Sequence, residues 1–259
     1  MIDGRRVLII LPAWNEEEGL PSILKEIQTH LPGVDTLVVD DGSTDRTAAV
    51  ATASGSPVAQ LPYNLGVGGA MRLGYRYAHL HGYDVAIQID SDGQHDPSYV
   101  PVLLEKLKEA DLVIGARFDG EGDYKVRGPR KWAMGLLSVV LSRITRTRLT
   151  DTTSGFRACN KPLIEFFANW YPVEYLGDTV ESMVGAARCG FVVRQVPVAM
   201  RERTTGTPSA SPIKAMVYLS RAGLVLLLAM IRRMPPHLKV IAAKRHAYRV
   251  SPAGATVGS

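Results

Sequence analysis

Residues 87–97 read IQIDSDGQHDP, an apolar run that ends abruptly in Asp90, Asp92, Gln94 and His95. The pattern over 85–90 predicts a strand, and Pro97 opens a helical pattern over 97–109. A strand, an acidic loop and a helix make one βα unit, and open α/β sheets bind ligands beyond the carboxyl ends of their strands. Carboxylates two residues apart at a strand end can both face a hard cation, with Gln94 as a further oxygen ligand. Such a site suits Mg²⁺ or Mn²⁺ set against a diphosphate. An EF-hand is excluded, because Gly93 stands too early in the loop and no Glu closes it.

The same alternation runs outward from this stretch. Strands are expected over 7–11, 34–40, 57–61, 85–90 and 112–115, with helices over 19–30, 45–53, 68–81 and 97–109. Helices of this length between short β-branched runs imply a mostly parallel sheet with right-handed crossovers. A short antiparallel addition is expected over 194–200. The strand ending in LVVDDGSTDRT (37–47) carries Asp40 and Asp41 ahead of the helix-capping candidates Ser43, Thr44 and Asp45. Capping does not account for two adjacent carboxylates, which can accept hydrogen bonds from a base N–H or a ribose hydroxyl. The first strand runs into LPAWNEEEG (11–19), so Asn15 and Glu16 face the same crevice. NLGVGGA (64–70) fails as a dinucleotide fingerprint because Met71 takes the third glycine position. Its glycines instead allow a helix start to approach the sheet or a nucleotide closely.

The chain has 259 residues and two cysteines, Cys159 and Cys189, with no CxxC spacing, which excludes a disulfide scaffold and fits a reducing compartment. Its first residues are too acidic and too briefly apolar for a signal peptide. The net charge of +5 divides into +10 from residue 194 onward and −5 before it. A second basic stretch, 124–150, has seven cations and no acid beside the apolar run 134–141. Basic ends on an acidic body point to phosphate or anionic headgroups. Nucleic acid is disfavoured, since no helix-turn-helix, zinc spacing or RNA-binding aromatic signature accompanies the charge. A helix over 213–233 is basic along one side through Lys214, Arg221 and Arg232 and suits a membrane interface. Its longest uncharged run of ten residues reaches about 15 Å and cannot cross a hydrocarbon core of about 30 Å.

Seven motifs, in order and spacing, resemble the inverting family 2 glycosyltransferases of the GT-A fold, and among them the dolichyl- or polyprenyl-phosphate sugar synthases. They are LPAWNEEEG (11–19), VVDDGSTDRT (38–47), NLGVGGA (64–70), IDSDGQHDP (89–97), GAR (115–117), DTTSGFRA (151–158) and VESMVGAARCGFVVRQVPVAMRER (180–203). The resemblance implies an α/β GT-A domain over 1–208, a mostly parallel mixed sheet flanked by helices. An amphipathic C-terminal helix over 209–236 and a basic, then disordered, tail over 237–259 would follow. It implies that Pro12, Ala13, Asn15, Glu16, Asp40, Asp41, Gly69, Asp90, Ser91 and Arg203 line the nucleotide-sugar pocket. Asp90, Asp92 and Gln94 would hold Mg²⁺ or Mn²⁺, neutralising charge on the departing nucleoside diphosphate. Asp92, Asp178, Glu181 and Arg117 would form the catalytic set. Either Asp178 or Glu181 would activate an acceptor hydroxyl, while Arg117 and Arg203 meet phosphates.

The implied donor is a UDP- or GDP-linked sugar and the implied acceptor a polyprenyl phosphate, at the cytoplasmic face of a membrane contacted peripherally. A soluble saccharide or small-molecule hydroxyl is the alternative acceptor. A non-catalytic nucleotide-sugar-binding protein is the alternative of another class, and homo-oligomerisation stays open. Two departures fall on the acceptor side. Met134 stands where the lipid-phosphate branch often has Ser four residues after an Arg, and Gly206-Thr207-Pro208 replaces Gly-x-Ser.

Overall fold

A computed structural model describes residues 1–117, 129–173, 178–201 and 234–245, together with 223, 227 and 230–232. Among these residues, seven strands form one sheet in the order β3-β2-β1-β4-β6-β5-β7. The first is β1 (Val7–Ala13), followed by helix α1 (Leu20–His30), β2 (Asp35–Asp40), α2 (Thr47–Ala53), β3 (Val58–Gln60), α3 (Val67–Leu80) and β4 (Val85–Gln88). Parallel pairing joins β1 to β2 and β4, and β2 to β3. The chain therefore steps outward from β1 to β3 and then returns to β1's other side. That reversal opens a crevice at the carboxyl ends of β1 and β4, the usual place for a ligand in such a sheet.

The second half follows a different plan. After a 3₁₀ turn (Pro97–Tyr99) come α4 (Val100–Lys106), β5 (Leu112–Arg117), α5 (Pro129–Thr145), β6 (Arg157–Asn160), α6 (Lys161–Asn169), α7 (Asp178–Arg188), β7 (Val193–Val198) and α8 (Pro236–Ala243). The antiparallel strand is β6, wedged between β4 and β5, whereas β7 runs parallel to β5. The antiparallel addition expected over 194–200 is thus corrected to 157–160, and only Met200 pairs antiparallel, in a single bridge to His95. β6 reads Arg-Ala-Cys-Asn and has no β-branched run to announce it. Its neighbours on both sides make it a strand.

Strand alternation splits the interior into two cores. Leu8, Ile10, Leu37 and Ala86 face α3, α5, α6, α7 and α8, while Val7, Ile9, Leu11 and Ile87 face α1 and α4. β1 extends through Pro12 and Ala13, beyond the expected 7–11, and every residue of it is buried. β4 stops at Gln88, two residues early, which leaves Asp90 and Asp92 outside regular pairing.

The amphipathic helix expected over 209–236 falls almost wholly outside the described residues, as do the expected end of the 1–208 domain and the tail beyond 245. Pro236 begins α8. Leu238, Ile241 and Ala242 bury one face of α8, so this part of the basic C-terminal end is packed structure. Among the described residues, no helix is long and apolar enough to cross a membrane.

Candidate active site

Two loops at the carboxyl ends of β1 and β2 are laced together before any ligand is considered. The Asn15 amide donates to Ser43 Oγ at 2.9 Å, and Asn15 Oδ1 accepts the Thr44 N–H at 2.9 Å. The Glu16 and Glu17 amides donate to Thr47 Oγ1 and Asp45 Oδ2. Asn15 adopts a left-handed backbone (φ 54°), which Asn tolerates better than most residues. Its side chain therefore builds the pocket wall.

Asp40 and Asp41 are both buried, 3% and 4% exposed, and both carry protein donors. Asp40 Oδ1 accepts the Ser43 N–H at 3.0 Å and Oδ2 accepts Gln60 Nε2 at 3.2 Å. Asp41 Oδ1 accepts the Leu65 N–H at 2.7 Å, fastening the segment that leads into α3. Burial pushes the Asp41 carboxyl above the usual carboxylate range, opposed by the Leu65 and Gly66 amides and reinforced by the Asp40 charge. Gly42 is required between these loops, since its φ is +70° and a Cβ there would lie 2.6 Å from the Tyr63 carbonyl carbon. At the start of α3, a Cβ on Gly69 would lie 2.4 Å from the Leu65 side chain.

The loop after β4 carries the expected metal ligands. Ser91 Oγ donates to the Pro12 carbonyl at 3.0 Å, tying the loop to the end of β1. Asp92 is buried, and its Oδ1 accepts the Gln94 N–H at 3.0 Å. His95 Nδ1 accepts the Asp90 N–H at 3.0 Å and its ring stacks on Phe156, centroids 5.1 Å apart. With that lone pair occupied, His95 orients the loop through its backbone contact. Asp90 is the more open acid, its side chain 34% exposed.

The residues present fit a hard cation. A Cβ on Gly155 would lie 2.6 Å from Asp90 Oδ2, so glycine keeps the space beside that oxygen clear. Carboxylates and an amide oxygen are the donor set Mg²⁺ or Mn²⁺ prefers. Among the described residues, no group of three or more His, Cys, Asp or Glu side chains could hold a metal unaided. Two carboxylates and Gln94 would leave the remaining positions to diphosphate oxygens and water.

Across the crevice, α7 begins with Asp178 and has Glu181 one turn later. The spacing puts both acids on one side of the helix, yet their surroundings differ. Asp178 is 5% exposed, and its Oδ2 has no hydrogen-bond partner among the described residues. Burial raises its carboxyl to about 6; the Arg157 charge opposes that shift and the Asp90 charge adds to it. Glu181 Oε1 instead accepts Arg232 Nη1 at 3.0 Å.

The structure thus brings Pro12, Ala13, Asn15, Glu16, Asp40, Asp41, Asp90, Ser91, Asp92 and Gln94 to the ends of three neighbouring strands. Asp178 joins them electrostatically through Asp90. Arg117, at the end of β5, is held by Asp151 at 3.5 Å and stays half exposed. Arg203 lies outside the described residues. Sequence reasoning passed over Arg157 and Gly155, though both stand in the quoted DTTSGFRA. Arg157 is buried and donates to the carbonyls of Ser154 and Thr179 at 2.8 and 3.0 Å. No local signal marked them, because the strand that buries Arg157 is itself announced by no β-branched run.

Comparison with known proteins places this geometry. Residues 8–168 match the family model described as glycosyl transferase family 2. The chain belongs to that family, has the GT-A-like α/β fold and is a glycosyltransferase. It is similar to the undecaprenyl-phosphate mannosyltransferase of Micrococcus luteus, 35% identical over 85% of this chain and 94% of that one. It is also similar to the polyprenol monophosphomannose synthase of Mycolicibacterium smegmatis, 31% identical over 80% and 82% of the two chains. Among solved structures, glucosyl-3-phosphoglycerate synthase of Mycobacterium tuberculosis shares the fold, with a TM-score of 0.67 at 24% identity over 87% of this chain and 80% of that chain.

Proposed function

We propose that the protein moves a sugar, with inversion, from a nucleoside diphosphate sugar to an acceptor hydroxyl, and that Asp178 is the general base. The observation that carries this is the buried Asp178 oxygen with no hydrogen-bond partner among the described residues, on a carboxyl raised to about 6. A hydroxyl attacking the anomeric carbon must lose its proton. A carboxylate whose pKa lies near the working pH takes it best. The acceptor oxygen bonds to the anomeric carbon, the bond to the diphosphate breaks on the opposite face, and the proton passes to Asp178.

On the donor side, Asp40 and Asp41 shape the base and ribose end, and Ser91 holds the loop beneath the diphosphate. Asp90, Asp92 and Gln94 would hold Mg²⁺ or Mn²⁺. When bound, the cation supplies positive charge to the leaving diphosphate. Structures of the M. tuberculosis glucosyl-3-phosphoglycerate synthase contain UDP with Mn²⁺ or Mg²⁺, which supports this assignment by likeness of fold.

A second reading takes the acceptor to be a polyprenyl phosphate at the cytoplasmic face of a membrane. The two relatives at 35% and 31% identity, covered over most of their length, favour it. So do Leu136 and Val139, exposed one turn apart on α5. A phosphate oxygen is already ionised at neutral pH and needs no base. The deciding assay offers the full chain labelled UDP- and GDP-sugars with a soluble phosphorylated hydroxy acid and, separately, a short-chain polyprenyl phosphate. Transfer to the soluble acceptor that depends on Asp178 supports the first reading. Transfer only to the lipid, insensitive to Asp178→Asn, replaces it with the second.

A further inference from the structure

The loop between β4 and the 3₁₀ turn has no regular structure of its own, yet it is pinned from outside. Past β7 the chain runs beside it: Met200 bridges to His95, and the Arg201 N–H donates to the Gln94 carbonyl at 3.0 Å. The Arg201 side chain then spans two carboxylates. Nη1 and Nη2 meet the two oxygens of Glu26 at 2.9 and 2.6 Å, and Nη2 also meets Asp96 Oδ2 at 2.9 Å. Asp96 closes the loop, its Oδ1 accepting the Ser98 N–H. Glu26 belongs to α1, which packs on the face of the sheet opposite α3, α6 and α7. Arg201 therefore touches Gln94 through its backbone and reaches the far face of the sheet through its guanidinium.

An isolated exposed ion pair contributes little to stability. This one differs in geometry, since it is bidentate to Glu26, shared with Asp96 and fixed to the loop by a backbone hydrogen bond. Groups that orient metal ligands from behind typically govern metal affinity by about 10- to 100-fold. Resting on the metal reading above, we propose that Arg201 is a positioning residue that presets the oxygens of Asp90, Asp92 and Gln94 for a divalent cation. Its anchor is Glu26, outside the pocket. In VAMRER only the last arginine, Arg203, carries a role in the family resemblance. The contacts of Arg201 become visible only once β7 lies beside the metal loop.

The test titrates Mn²⁺ against the full chain holding UDP, and in parallel GDP, following free Mn²⁺ by electron paramagnetic resonance. Arg201→Met is expected to weaken Mn²⁺ binding about tenfold and Glu26→Gln about threefold, with Arg201→Lys between them and wild type. In transfer assays the KM for Mn²⁺ should rise in step, while kcat at saturating Mn²⁺ stays within about threefold, a split that a general loss of stability would not produce. If Arg201→Met unfolds, Arg201→Lys and Glu26→Gln carry the measurement. Wild-type Mn²⁺ affinity in all three variants, with binding lost in Asp92→Asn, overturns the role of Arg201 and leaves the metal reading standing. Absence of Mn²⁺ binding by wild type with either nucleotide overturns both.

Discussion

Asp40 and Asp92, at the carboxyl ends of β2 and β4, are as deeply buried as Asp178 at the start of α7. Both donor-side acids accept hydrogen bonds from neighbouring backbone N–H groups, of Ser43 and Gln94 respectively. Asp178 has an oxygen with no such partner among the described residues. Exposure is alike, and the hydrogen bonding of the three side chains differs. The amide contacts fix the positions of the Asp40 and Asp92 carboxylates, which suits the donor and cation roles proposed for them. At Asp178 burial disfavours the charge against the pull of Arg157 and the Thr179 amide, and the group gains affinity for a proton. Under the proposed function, the two ends of one crevice take opposite tasks with the same residue type.

The contrast breaks most visibly on the donor side. Asp92→Asn keeps the acceptor of the Gln94 N–H but removes the charge, and transfer is expected to fall about a thousandfold with the far-ultraviolet circular dichroism unchanged. Transfer within tenfold of wild type would return Asp92 to a turn-forming role.

A smaller but two-sided effect is expected at Asp178. Asp178→Asn should lower transfer to a hydroxyl acceptor about a hundredfold, and the wild-type rate should fall as the pH drops through about 6. Its effect on stability has the opposite sign. The native carboxyl sits at about 6 against an ordinary 3.8, so the folded state binds more protons between those values. Stability contributed by this group is therefore greatest at low pH and is lost as the pH rises through that window, by about 3 kcal/mol in all. Asp178→Asn should raise resistance to urea at pH 7 and do little at pH 4. An inactive variant less stable than wild type at pH 7 would show that the carboxylate is paired after all.

The smallest effect is expected one turn further along α7. Glu181 is engaged by Arg232, and Arg188 donates to the Arg232 carbonyl at 2.8 Å, so this acid ties the C-terminal residues to α7. Glu181→Gln should leave transfer within about threefold of wild type, because Arg232 is largely exposed and such pairs are weak. A hundredfold loss would move the base from Asp178 to Glu181.

The sequence by itself determined the donor half. Strand-and-helix periodicity located β1 to β4, and acids at strand ends, where side chains must leave the sheet, placed Asp40, Asp41, Asp90 and Asp92 in one crevice. Those signals are local, set by periods of 2 and 3.6 and by turn chemistry, so a linear pattern contains them. The packing of α8 against α6, the strand at 157–160 and the clamp of Arg201 on Glu26 have no such local pattern. Each depends on partners far apart in the chain, 175 residues in the case of Arg201 and Glu26. Asp178 and Glu181 show the limit most plainly. Three residues apart on one helix, they are alike in sequence, and only the tertiary structure gives one an arginine and leaves the other a buried, unbonded oxygen. Desolvation and hydrogen bonding belong to the folded surroundings, and there they separate the proposed base from a tether.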